Sequence, residues 1–336
     1  MRERIKKSIK SMPLLAIPAV IIGKIIPGFI QYCKLIKKYG SDVSILRTAW
    51  HGTGDYYICG MYLPEYLKQN KISNYIFLVK AHSSEAKVAE LFDVYQGHTE
   101  ALESAEELSR FSEFMQLPTP LCKSFECSEQ LVFIGEHLKG YRGLSLADFY
   151  KWYGFGFQSE PMKAEPHFTE DIHKIRIAME KMGLQHGKTV LLSPFSTCSK
   201  AYLPPDSVWR NVAQHLKSRG YSVATNCFGN ERPVEGTVPV AIPYKELVPF
   251  LNEAGGFIGI RSGLCDILSK SSCRKIVIHP EKSDYWPDGS ALRFVGMRAM
   301  GLAETVTEIE YVSTEISKME NSVLNTIDKW KQDDSL

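Results

Sequence analysis

Closely spaced pairs of cysteines are absent from this 336-residue sequence. Its eight cysteines form no CxxC pair, and no Cys or His pair at zinc-binding spacing follows the two that lie nearest together, Cys122 and Cys127. Unpaired cysteines usually behave as small buried hydrophobic residues, and such usage is typical of a reducing compartment. We therefore expect reduced thiols, no metal site and a cytoplasmic protein.

A strong net charge is also lacking. The sequence has 40 Lys and Arg against 38 Asp and Glu, a formal net charge of +2, so it carries no global basic field that would favour nucleic acid as a partner. Hydrophobic residues make up 44% and charged residues 23%, which fits a folded protein with a sizeable core and excludes a disordered chain. The length suggests two domains of ordinary size.

The sequence has no clean apolar run of the roughly 20 residues that a membrane-spanning helix requires. The longest candidate, residues 12–32, is interrupted by Pro18, Lys24 and Pro27, and no small-residue cleavage site follows it. Basic residues flank it on both sides, as expected for a segment that lies on an anionic membrane surface. Two interpretations stay open for residues 1–40: contact with an anionic membrane, which we favour, or a helix buried against the C-terminal domain.

Strands and helices alternate through most of the remaining sequence. A strand over Asp42–Arg47, a glycine turn, a helix over 56–70 and a strand over 74–80 form one such unit. Further strands are predicted at 189–192, 221–226, 238–243, 257–260 and 275–280. This alternation is typical of doubly wound parallel sheets. It predicts an α/β protein with one domain over 41–165, a second over 185–312, and a final helix within 313–336 that packs back on the first domain.

Ligands of open parallel sheets bind beyond the carboxyl ends of the strands. One loop there contains Arg261, Ser262 and Gly263, where a predicted strand turns into a helix. Free backbone N–H groups and the helix dipole favour a phosphate at such a turn, Ser262 adds a hydroxyl, and Arg261 adds a bidentate donor. The alternative is a simple helix cap with a solvated arginine.

Two other strand-end loops complete the expected donor side. Ser196 and Thr197 offer hydroxyl groups, and Lys200 offers a charge for a diphosphate, unless it is an ordinary surface lysine. Glu231 follows another strand, where a carboxylate can accept hydrogen bonds from ribose hydroxyls or can simply lie in an exposed turn. We expect these residues to bind a nucleotide-sugar.

The turn after the first strand, His51 to Asp55, supplies candidate catalytic groups. It contains two glycines but no GxGxxG fingerprint, so we do not predict a dinucleotide site. Inverting glycosyl transfer requires a base that takes a proton from the acceptor hydroxyl, and either Asp55 or His51 could serve. A helix N-cap is the alternative role for Asp55. No DxD motif stands in a suitable loop, so the expected reaction is independent of metal and cofactor.

Three segments, taken in order, resemble the ADP-heptose lipopolysaccharide heptosyltransferases, a family with the two-domain GT-B fold. They read ILRTAWHGTGDYYICGMYLPEYLKQ, LLSPFSTCSKAYLPPDSVWRNVAQHLKSRGYSV and FIGIRSGLCDIL, and the resemblance covers most of residues 43–280. It implies two Rossmann-like domains that face each other across a cleft. It also implies Asp55 as the base, Ser196 and Lys200 as phosphate contacts, and Glu231 as the ribose contact.

The sequence departs from this family at the last segment. Arg261 stands where the family has an acidic residue, and Asp266 stands where it has a His, so the donor sugar need not be the same. Arg-Ser-Gly at this turn is also similar to bacterial fucosyltransferase-type sites, in which an Arg binds the donor pyrophosphate. We include Asp266 among the expected donor-side residues.

The expected function is therefore a glycosyltransferase acting on a cell-surface polysaccharide or glycolipid, in the cytoplasm or on the inner face of the plasma membrane. A nucleotide-sugar 2-epimerase of the same architecture is the alternative enzyme, and it would need no acceptor. A non-catalytic sugar-nucleotide-binding protein is the third reading.

Overall fold

The computed structural model describes residues 21–48, 52–81, 83–103, 106–115, 122–125, 143–196, 203–281 and 291–333. Within these ranges the chain forms two parallel β-sheets, each covered by helices. The predicted fold class, an α/β protein with two parallel-sheet domains, is therefore confirmed.

The first domain contains a four-stranded parallel sheet in the order β3-β2-β1-β4. The strands are β1 Ser44–Thr48, β2 Tyr75–Lys80, β3 Thr99–Leu102 and β4 Cys122–Phe125. A π-helical turn, Ile21–Ile25, precedes the helices, which are α1 Ile26–Tyr39, α2 Thr53–Gln69, α3 Ser84–Ala89, α4 Glu106–Met115 and α5 Leu146–Phe149. A second π-helical turn, Tyr150–Gly154, follows α5 directly.

The second domain contains a six-stranded parallel sheet in the order β10-β9-β8-β5-β6-β7. Its strands are β5 Thr189–Ser193, β6 Ser222–Asn226, β7 Val238–Val240, β8 Gly255–Ile260, β9 Arg274–Pro280 and β10 Thr307–Tyr311. Its helices are α6 Ile172–Lys181, α7 Asp206–Ser218, α8 Tyr244–Ala254, α9 Gly263–Leu268, α10 Ala291–Val295 and α11 Ile316–Asp333.

The apolar pattern of the sequence explains these elements. Central strands such as β2 and β5 are buried over nearly their whole length, because helices cover both faces of a parallel sheet and leave no solvent-facing side. Helix α7 instead buries one stripe, Val208, Val212 and Leu216, at the spacing of successive helical turns. Gly220 follows with φ +86°, a backbone conformation that glycine adopts without strain.

One hydrophobic cluster continues from the first domain into the second. It includes Tyr57 and Phe77 on one side and Leu247, Phe257 and Leu264 on the other. Helices α2 and α9 pack directly against each other at this junction. The carboxyl ends of the two sheets are therefore held together by burial of apolar surface, which is the dominant favourable term in such contacts.

The expectation that the final helix packs on the first domain is wrong for the described residues. Helix α11 buries Met319, Val323 and Ile327 in the core of the second domain, together with strand residues of its own sheet. Asp328 accepts a hydrogen bond from His215 of α7 at 2.7 Å, where the ring nitrogen acts as the donor. The apolar stripe of α11 is thus satisfied without the first domain.

Helix α1 packs on the first domain and not, as the alternative reading had it, against the second. Leu35 is buried with Val43 and Ile45, and Gly28 lies against Glu107 and Phe111 of α4. Nowhere in the described ranges does a helix combine the length and the apolar character needed to cross a membrane. Residues 1–20 lie outside the described residues.

Candidate functional site

Each sheet has one switch point. There the connections that follow two neighbouring strands run to opposite sides, and a crevice opens at the carboxyl ends of these strands. In the first sheet it lies between β1 and β4, and in the second between β5 and β8. The turn after β1 carries Asp55, the loop after β5 carries Ser196, and the turn after β8 carries Arg261 to Gly263. The predicted donor loops after β5 and β8 therefore flank one crevice.

The two switch points meet at a pair of glycines. A Cβ on Gly54 would lie 3.4 Å from the Cα of Gly263, and one on Gly263 would lie 2.7 Å from the Cβ of Thr53 and closer still to the Gly54 amide nitrogen. Because no side chain fits between them, the two backbones approach to direct contact. Asp55 and Asp266, which follow these glycines, are brought to the same place from opposite domains.

Asp55 is the third residue of α2, and Gly52 is the N-cap. The expected alternative, in which Asp55 itself is the N-cap, is therefore not the arrangement found. Its Oδ1 accepts a hydrogen bond from the Tyr150 hydroxyl at 2.7 Å. A Cβ on Gly52 would lie 3.2 Å from the Asp55 Cγ, so this glycine makes room for the carboxylate.

The surroundings raise the pKa of Asp55 to about 6. Burial is the main cause, because it disfavours the charged form, and the negative charge of Asp266 adds to it. The Tyr150 hydrogen bond and the more distant Arg261 act in the opposite direction. A carboxyl group with this pKa is ionised at neutral pH and is still basic enough to accept a proton.

Arg261 and Asp266 form a buried ion pair beside this carboxylate. The Arg261 Nη2 donates to Asp266 Oδ1 at 2.6 Å, and their side chains are only 6% and 1% exposed. Burial raises the pKa of Asp266 to about 6, although Arg261 lowers it. The Arg261 Nε donates to Val295 O at 2.5 Å, Nη1 donates to Ser262 O, and Nη2 also donates to Met300 Sδ at 3.4 Å. Arg261 is thus enclosed by protein acceptors.

The other predicted residues are placed as follows. Ser196 is buried after β5, whereas Ser262 is the half-buried N-cap residue of α9. Glu231 is exposed, and its carboxylate accepts a hydrogen bond from the Phe228 N–H at 2.9 Å, which shapes the loop after β6. His51, Thr197 and Lys200 lie outside the described residues.

Sequence reasoning missed two neighbours of this site. Tyr150 donates its hydroxyl hydrogen bond to Asp55 from 95 positions away, and no motif in the sequence links the two residues. The buried Oδ1 of Asn226, at the carboxyl end of β6, has no hydrogen-bond partner among the described residues. Among all the residues that the structure describes, no cluster of three or more His, Cys, Asp or Glu side chains is arranged to hold a metal ion.

We expect Gly263→Ala to destabilise the protein by about 1–3 kcal/mol, the usual cost of forcing an extra carbon into a packed site. The added Cβ would meet Thr53 and the Gly54 backbone, so α2 and α9 would have to separate. Chemical denaturation measures the change. Gly23→Ala is the control, since its Cβ would have no atom within 4 Å. Equal unfolding free energies for both variants would contradict the close approach.

These two sheets, with helices α2 and α9 in contact at their carboxyl ends, have the GT-B fold seen in heptosyltransferase structures. No family model and no curated protein matches the sequence. Among solved structures, E. coli ADP-heptose lipopolysaccharide heptosyltransferase II aligns with TM-score 0.59 at 9% identity, covering 87% of this chain and 100% of that one. A family 9 glycosyl transferase from Veillonella parvula aligns with TM-score 0.54 at 10% identity, covering 86% and 97%. At such identities the likeness concerns the fold.

Proposed function

We propose that this protein is a glycosyltransferase that moves a heptosyl or hexosyl group from a nucleotide-sugar to a glycan or glycolipid acceptor of the cell surface. The observation that carries the proposal is the meeting of the two switch points. It brings a basic carboxylate of the first domain, Asp55, to the strand-end loops of the second. The GT-B fold shared with the heptosyltransferase structures supports this choice over other α/β enzymes.

In this proposal the second domain binds the donor. Ser196 and Ser262 flank the β5/β8 crevice, Thr197 and Lys200 follow in the loop after β5, and Glu231 follows β6. Hydroxyl groups and a lysine suit a diphosphate, and a carboxylate suits the ribose hydroxyls. Arg261 is buried directly after β8, one of the two strands that border the crevice. Because each of its three nitrogens already donates to protein and its side chain is buried, a direct phosphate contact would require Asp266 or a carbonyl to be exchanged for the phosphate.

Asp55 is the proposed general base. It would take the proton of the acceptor hydroxyl while that oxygen bonds to the anomeric carbon of the donor and the nucleoside diphosphate departs with the electron pair of the broken bond. A single displacement of this kind inverts the anomeric centre. The reaction as proposed needs no metal, because the positive charge for the leaving group comes from the donor loops.

The decisive experiment has two stages. Thermal-shift screening against UDP-, GDP-, ADP- and CMP-sugars identifies the donor, since a ligand at a hundredfold excess over its Kd stabilises the folded protein by about 2.7 kcal/mol. Incubation with that donor, with and without glycolipid extracts, then tests transfer. Conversion of the donor to its 2-epimer without acceptor would favour the epimerase. Binding without any turnover would favour a non-catalytic protein.

If Asp55 is the base, kcat/KM should rise with pH and level off above about 6, because only the ionised carboxylate accepts the proton. Asp266→Asn should move this midpoint to lower pH. It removes a neighbouring negative charge and frees the charge of Arg261, and both changes favour the ionised form of Asp55. The measurement is a pH profile of both proteins, with Asp328→Asn as a remote control. A midpoint that stays in place, or rises, would contradict the coupling.

A further inference from the structure

Exposed apolar side chains are concentrated on one side of the first helical segment. Nine large hydrophobic side chains are exposed in the described ranges, and four of them lie in this segment. They are Ile22 (67% exposed), Ile26 (46%), Phe29 (50%) and Ile30 (49%). Their spacing of four, seven and eight residues places them on one helical stripe. We call these four residues the apolar face.

The apolar face cannot turn inward, because the other side of the same segment is already packed. Ile25 and Leu35 are buried, and Gly28 lies against the backbone oxygen of Glu107. The ring of Phe29 lies 5.4 Å from that of Phe111 in α4, which supports the face from below. The stripe is therefore a fixed, outward surface of the first domain.

The helical segment that carries the apolar face has charges of one sign. Residues 21–40 contain four lysines and no Asp or Glu. Lys34 and Lys37 are exposed one to two turns beyond the face, and Lys38 is exposed and paired with Glu100 at 2.7 Å. An outward apolar stripe with basic residues at one end is the pattern of a helix that lies in the headgroup region of an anionic bilayer.

We propose that the apolar face and the lysines that follow it dock the first domain on an anionic lipid bilayer. The bilayer is favoured over a protein partner because the stripe is one side of a single helical segment whose own charges are all positive, with Lys34 and Lys37 exposed. Docking by the first domain would bring the Asp55 side of the site toward acceptors held in the membrane. Only this last consequence rests on the proposed function, since lipid binding is measurable without any transfer.

The test is co-sedimentation of the full chain with vesicles of phosphatidylcholine alone or mixed with phosphatidylglycerol, at low and high salt. Phe29→Ser/Ile30→Ser should reduce partitioning to the mixed vesicles by about tenfold or more, because two large side chains no longer enter the lipid. Lys34→Gln/Lys37→Gln should weaken binding and flatten its salt dependence. Met162→Ser/Ile177→Ser removes exposed apolar side chains elsewhere and should leave partitioning unchanged.

Three results would overturn the proposal: equal sedimentation of the wild type and Phe29→Ser/Ile30→Ser, equal binding to both vesicle types at any salt, or a wild-type dimer in light scattering that this variant dissociates. The last would make the face a self-association surface. Because the substituted side chains are exposed, circular dichroism should be unchanged. Vesicle binding without transferase activity would support membrane docking and contradict the proposed function. Transfer to a soluble acceptor without vesicle binding would support the proposed function and contradict membrane docking.

Discussion

Replacing Asp55 with Asn is expected to lower kcat by about 10²–10⁴-fold, the usual loss when a general base is removed, with donor affinity nearly unchanged. The substitution keeps the size of the side chain, and the Tyr150 hydroxyl can still donate to the amide oxygen. The Asn amide, unlike the carboxylate, cannot take the proton of the sugar acceptor's hydroxyl group. Steady-state kinetics measure kcat, and calorimetry with the nucleoside diphosphate measures binding.

Asp171→Asn is the matched control, since Asp171 is another carboxylate at a helix start and accepts a hydrogen bond from the Lys174 N–H at 3.0 Å, away from the site. Its turnover should be unaffected. Near-normal turnover of Asp55→Asn would shift the catalytic role to His51, and a joint loss of thermal stability and donor binding would make Asp55 structural. Product stereochemistry is an independent check, because one base assisting one displacement must invert the anomeric centre.

The sequence predicted the strands that are buried on both faces, and with them the loops of the candidate site. A run such as YIFLVK in β2 or KIVIHP in β9 can be recognised because nearly every residue is buried. Once those strands are assigned, the rule that ligands lie at their carboxyl ends is enough to place Asp55, Ser196 and Arg261 near the switch points from the sequence alone.

The elements that were not predicted have weaker patterns. Strand β10, Thr307–Tyr311, is an edge strand in which only Tyr311 is buried, so no apolar run marks it. The stripe of Met319, Val323 and Ile327 shows that α11 buries one side, but helical spacing does not reveal which domain receives it.

The site shows the same limit at the level of side chains. Position in the sequence indicated that Arg261 lies at a strand end, but not that Asp266, five residues later, would take up its guanidinium. Gly54 of the first domain packs directly against this pair, since a Cβ at that position would collide with the Asp266 carboxylate, and Asp266 is left only 1% exposed. Contacts between distant segments of the chain decide whether a charged residue faces a ligand or a protein partner.

Arg261→Ala is expected to lower the free energy of unfolding by about 3–5 kcal/mol, because removing one member of a buried ion pair leaves the other charge uncompensated. The remaining Asp266 is 1% exposed. Its pKa, already about 6 with Arg261 present, should rise further, since the cation that lowers it is gone. The folded protein then binds a proton that the unfolded chain releases near pH 4. The deficit relative to wild type should therefore grow as the pH rises above about 6, where Asp266 ionises in the folded wild type but still keeps its proton in the folded variant.

Adding Asp266→Asn to Arg261→Ala separates the structural role of the arginine from its proposed role in donor binding. The double variant has no unpaired buried charge, so most of the lost unfolding free energy should return. If Arg261 also donates to phosphate, the double variant should still bind the donor about 1.5–3 kcal/mol more weakly than the wild type, as measured by calorimetry. Recovery of affinity together with stability would show that the arginine acts only by holding Asp266. The phosphate contact would then pass to Lys200 and the hydroxyl groups of the loop after β5.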